Sequence, residues 1–250
     1  MANDNQQAIR KILSEARSAI SESFHQYKNL MVVNLVGLFA VLVILSVVGQ
    51  LKFDSSLYFY SDVGTSGRFG SGAMTVVSGM CFFIGGALLV SCARLLYLHR
   101  NTAVENGNAH RWFALAGLGI IYLGFDDIVM VHEYLTIKMT QIGVPKLFGI
   151  DQDVYIFAVY GIVALVVMIK LLPSVFHYRL AFFPLAAMVA FFVLSEAVDF
   201  IPWDSLNDIQ RMILGPTEEI LKTMGSWSAV LYAELLLENI VTEIGARSRK

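Results

Sequence analysis

Charge is scarce in this sequence. Of its 250 residues, 15% are Asp, Glu, Lys or Arg, against about 25% in average soluble proteins. The deficit falls on long apolar blocks rather than evenly, and 56% of the chain is hydrophobic. No excess of positive charge exists either: the net charge is −2, which excludes the basic field that binds nucleic acid. Cysteine is limited to Cys81 and Cys92. On one predicted helix, eleven positions put them about 16 Å apart, too far for a disulfide. The first thirty residues hold no compact apolar core followed by a small-residue cleavage site, so no cleavable signal peptide is expected, and the first apolar block would act as the targeting signal. Internal repeats, heptad arrays and a second domain are also lacking.

What the chain does have is apolar runs of membrane length. A bilayer core of about 30 Å needs roughly 20 residues of helix. Six stretches are predicted: 31–50, 73–97, 112–134, 154–172, 180–201 and 216–240. The last is the most polar, interrupted by Glu234. The fold class expected is therefore all-α, a polytopic membrane helix bundle of about six transmembrane helices. It divides into an amphipathic segment 1–29, a bundle 30–242 and a tail 243–250. In the first of these, Ile9, Ile12, Leu13, Ala16, Ile20, Phe24 and Tyr27 recur at helical spacing, with Arg10, Lys11 and Arg17 on or near the other face. That pattern suits a helix lying on the membrane surface.

Orientation follows from Lys and Arg in the loops. With the N-terminus in the cytoplasm, the inside segments hold twelve and the outside loops five, so both termini are expected to be cytoplasmic. Compact loops and small size suggest a bacterial inner membrane. Of the two long outside loops, 51–72 ends in a Gly/Ser run, Gly64 to Gly72, which reads as flexible.

Ionisable groups inside spans cost about 2.5–3.5 kcal/mol each on insertion scales, and this chain has many. The third span carries Asp126, Asp127, His132 and Glu133, the fifth ends with Glu196 and Asp199, and the sixth begins with Glu218, Glu219 and Lys222. Counted from the span ends at about 1.5 Å per residue, Asp126 lies about 21 Å across and Glu196 about 24 Å across, while Lys222 is about 9 Å below the outer edge. Three helices thus place their charges at one level, in the outer leaflet. Asp126 and Glu133 share a helix face, as do Glu196 and Asp199, and Lys222 can pair with Glu218 or Glu219. Seven acids face one lysine and one histidine. Some of the acids must take up protons, or a cation must bind. Oxygen-rich sites suit hard divalent ions, and a lone His among carboxylates also fits Zn, Mn or Fe.

Simpler readings exist for several of these groups. His132 and Glu133 fit a solvated position at the headgroup boundary. Glu218 and Glu219 fit the first turn of a helix, where acids complement the dipole.

The run Glu218-Glu-Ile-Leu-Lys222 has the form EExxK, and Phe192-Val-Leu-Ser-Glu196 the form FxxxE. Together they resemble two motifs of the membrane-embedded proteases related to CAAX-prenyl endopeptidases. In that family the motifs come in the opposite order, and its later HxxxD or HxxxN box is absent here. The resemblance implies that such a residue set can activate water. The three-histidine pattern of membrane ceramidase-like hydrolases is not matched.

Three functional expectations result. In the first, a divalent metal ion is held by Asp126, Asp127, Glu196 and Asp199 with His132 or Glu133, Glu219 is the general base, and Lys222 stabilises developing negative charge. Its substrate would be a lipid or peptide reached from the outer leaflet. In the second, the same acids handle cations or protons. A structural subunit of a membrane complex is the third. Membrane lipid is the expected partner, and a homo-oligomer is compatible with all three.

Overall fold

The computed structural model describes residue 14 and residues 33–52, 73–99, 108–147, 152–201 and 206–247. The amphipathic segment 1–29, apart from Ser14, and most of the loop 51–72 lie outside the described residues. The elements are all helical: α1 (Val33–Lys52), α2 (Ala73–Leu98), α3 (Ala109–Val129), α4 (Val131–Gln141), α5 (Asp153–His177), a 3-10 turn (Arg179–Ala181), α6 (Phe182–Asp199) and α7 (Asp208–Arg247). Five helices are long and apolar enough to cross a membrane: α1, α2, α3, α5 and the stretch Arg179–Val198. Their outward faces suit lipid. Ile162 and Leu165 on α5, for example, are 63% and 60% exposed.

The sixth expected span lies within α7, a continuous helix of 40 residues. It is long enough, but too polar to be counted with the five. Its place in the bundle explains the polarity. It packs against α2 on one side and α6 on another, and buries Tyr232, Ala233, Leu236 and Ile240 almost completely. A helix surrounded by protein can carry Ser, Thr and charged side chains that a lipid-facing helix cannot. α1 docks on it through Leu42, which is fully buried against Ile220 and Met224.

The closest helix pair is α2 with α3, and glycine makes it so. A Cβ built on Gly86 would lie 2.6 Å from the Gly117 carbonyl oxygen, and one on Gly117 2.7 Å from that of Gly86. Seven residues along each helix the pattern repeats: a Cβ on Gly124 would lie 2.8 Å from the Gly79 carbonyl oxygen. Small residues let backbones approach where no hydrophobic force drives helices together in lipid.

One boundary departs from the sequence expectation. The third span was expected to run unbroken over 112–134, but α3 stops at Val129. Met130 takes a left-handed conformation, φ 60° and ψ 42°, and α4 starts at Val131. It is the one non-glycine residue with positive φ among the described residues.

Candidate functional site

The break at Met130 is organised by Asp126. Its backbone oxygen accepts the Met130 N–H at 2.7 Å. Its side chain then reaches past the break: Oδ1 accepts the backbone N–H of His132 at 2.8 Å, and Oδ2 lies 3.1 Å from His132 Nδ1. One carboxylate thus satisfies an otherwise unpaired N–H in the first turn of α4 and fixes an imidazole. A carboxylate only accepts, so Nδ1 carries the proton and Nε2 is the acceptor in the neutral ring. Asp126 is 4% exposed.

The adjacent Asp127 points to a different helix. Its Oδ1 receives Lys222 Nζ at 2.9 Å, and the same ammonium lies 3.5 Å from Glu219 Oε1. Lys222 therefore joins α3 to α7. Ser195 of α6 donates to the Glu218 backbone oxygen at 3.1 Å, bringing the end of α6 to the same region.

Aromatic rings of α5 close one side. Phe157 packs on the His132 imidazole at a centroid distance of 5.4 Å. Tyr160 shares a hydrogen bond of 3.0 Å with Tyr122 of α3 and is within reach of Asp126. Neither tyrosine was singled out in the sequence, because a lone Tyr in an apolar run carries no spacing signal.

His132 lies beyond the end of the α3 span. Burial opposes its protonation, but the hydrogen bond and charge of Asp126 outweigh that, and the imidazole titrates above its ordinary value.

Hydrogen bonds and ion pairs thus bring together five of the residues singled out above: Asp126 with His132, and Asp127 and Glu219 with Lys222. Glu133 follows His132 and adds to the negative field on it. Glu196 is half-buried, next to Ser195. The Asp199 side chain lies outside the described residues. Lys222 was expected to pair along its own helix with Glu218 or Glu219, but its shorter contact is across helices, to Asp127. Among the described residues, no three His, Cys, Asp or Glu side chains converge so as to hold a metal ion. The cluster instead forms two acid–base pairs rooted in adjacent residues of one helix.

The model of one protein family matches residues 30–236, which is nearly all of the bundle and includes every residue of the cluster. The chain belongs to the DUF8692 family, a domain of unknown function. No curated protein and no solved structure matches it. In this DUF8692 domain, the cluster sits where α3, α4 and α7 meet.

Proposed function

We propose that this DUF8692 protein binds and exchanges protons at a site on the outer side of a plasma membrane, such as a bacterial inner membrane, with Asp126 and His132 as the proton-binding pair. The observation that carries the reading is the bond between Asp126 Oδ2 and His132 Nδ1, one residue away from the Asp127–Lys222 pair. The Lys222 charge acts on the His132 ring across the two pairs, so a proton gained at His132 is felt at Lys222 and its carboxylates. His132 is the group suited to neutral pH. Its side chain is 20% exposed, so Nε2 is the point at which protons enter or leave. Lys222 supplies a fixed positive charge beside Asp127 and Glu219. Both termini lie in the cytoplasm on this reading, following the Lys and Arg asymmetry.

The test is proton flux in proteoliposomes under an imposed potential, followed with an internal pH dye. Wild-type protein is expected to pass protons, and Asp126→Asn and His132→Gln to slow them at least tenfold. Wild-type flux equal to that of protein-free vesicles rules the reading out.

A second reading is favoured by one atom. Asp127 Oδ2 is buried and meets no hydrogen-bond partner among the described residues, so a cation has an oxygen to bind there. A divalent ion would draw on Asp126, Asp127, Glu196 and Asp199 with His132 or Glu133, and would lower the pKa of a bound water. Glu219 would then act as general base and Lys222 as anion stabiliser in a hydrolase acting on a lipid or peptide. Lys222 Nζ occupies the other oxygen of Asp127 at 2.9 Å, which is why the proton reading comes first. Metal analysis of purified protein decides: one divalent ion per chain, lost in Asp127→Asn, would favour the hydrolase.

A further inference from the structure

A row of hydroxyls starts one residue after Lys222 and runs along the contact between α2 and α7. Ser78 of α2 and Ser226 of α7 lie with their oxygens 3.3 Å apart, and both are 0% exposed. Three residues before each, and so one turn back on the same faces, come Thr75 and Thr223, 3% and 1% exposed. Ser226 also donates to the Thr223 backbone oxygen at 2.8 Å. Further along the same contact, a Cβ built on Gly85 of α2 would lie 3.2 Å from the Ala229 backbone of α7, so the two helices stay close beside this row.

Two donors on α7 beside this row are left over. Thr223 Oγ1 and Trp227 Nε1 are buried and meet no hydrogen-bond partner among the described residues. They are four positions apart on α7, hence neighbours on one face. A threonine inside a membrane helix ordinarily returns its hydroxyl to the carbonyl one turn before it. Ser228 does so at 2.8 Å to Met224, yet Thr223 does not. Paired buried donors of this kind call for a small partner that can accept from both. Water meets the need, since it accepts from the indole N–H, which only donates, and both donates to and accepts from a hydroxyl.

We infer that the seam between α2 and α7 binds ordered water between Thr223 and Trp227, and that this water with Thr223, Ser226 and Ser78 continues the proton route inward from Lys222. The second half rests on the proton reading given above. In the relay, the water bridges the Thr223 hydroxyl, which meets no partner among the described residues, to the Ser226 hydroxyl, and Ser226 passes on to Ser78; each oxygen gives one proton as it takes another. No bond between heavy atoms forms or breaks. Trp227 orients the water and passes no proton.

Two measurements test the parts separately. The chain has three tryptophans, so indole N–H signals of nitrogen-labelled protein in detergent resolve Trp227 from Trp112 and Trp203. Wild-type protein should show a cross-peak between water and the Trp227 indole proton, lost in Thr223→Val and kept in Thr223→Ser. Absence of that cross-peak in wild type overturns the water site. In proteoliposomes, Thr223→Val should slow proton flux at least fivefold while leaving the His132 titration in place, and Thr223→Ser should restore it. Unchanged flux in Thr223→Val overturns the relay. A cross-peak without any wild-type flux sinks the proton reading and leaves the water site standing.

Discussion

Lys222 holds two carboxylates at once, and that makes it the most exposed point of failure in the cluster. Replacing it by Met leaves Asp127, 7% exposed, as a buried charge without its cation. Breaking a buried pair from one side costs about 3–5 kcal/mol. The double variant Asp127→Leu with Lys222→Met removes both charges and should recover most of that loss, which thermal unfolding in detergent would read. Equal stability of the single and double variants would show that the pair does not matter to folding. His132 gives a pH signature. Its folded value is raised, so the stability it contributes is complete below the ordinary imidazole value of about 6.5 and is lost as pH rises through the higher folded value. Wild-type protein should therefore lose melting temperature across that window, and His132→Gln should show a flatter profile. The sequence made these residue types visible through their cost in a membrane. It did not reveal their partners, because whether Lys222 meets Glu218 on its own helix or Asp127 on another depends on how α3 and α7 pack.

At the scale of elements, the α2–α3 contact sets where Asp126 and Asp127 stand. Gly124 is only two residues before Asp126, and its backbone touches that of Gly79. Gly117→Ala would place a methyl 2.7 Å from a carbonyl oxygen. Overpacking of that kind costs about 1–3 kcal/mol. Gly119→Ala meets nothing within 4 Å and is the control, expected to be neutral or mildly stabilising. If both variants melt alike, the two backbones are not in close contact. The glycines could be counted in the sequence, but the pairing of 79 with 124 and 86 with 117 could not. The end of α3 was also hidden. Met130 is neither Gly, Pro nor Asn, so no residue type marks a turn there, and apolar spacing continues across it.

For the whole molecule, composition alone identified an all-helical membrane bundle, and five of its helices meet the requirement for crossing. The sixth stretch is the most polar for a physical reason: α7 packs between other helices, so its polar side chains meet protein neighbours. If α7 crosses, both chain ends are on the same side. With the cytoplasmic orientation proposed above, single cysteines introduced at Ser248 and Ala2, in a background lacking Cys81 and Cys92, should be shielded from a membrane-impermeant thiol reagent added outside intact cells, and react once the cells are opened. Labelling of Ser248→Cys alone from outside would mean that α7 does not cross.

The bend at Met130 runs uphill. A left-handed residue with a side chain costs about 1–2 kcal/mol, and the two bonds from one carboxylate to His132 are what offset it. Without them, the easiest course for the chain is a single straight rod from Ala109 to Gln141, about 50 Å long at 1.5 Å per residue. Such a rod overshoots any bilayer and carries the imidazole away from the Phe157 ring it packs on. The same side chain that carries the charge is thus also the clasp that decides which of two shapes this stretch of chain adopts.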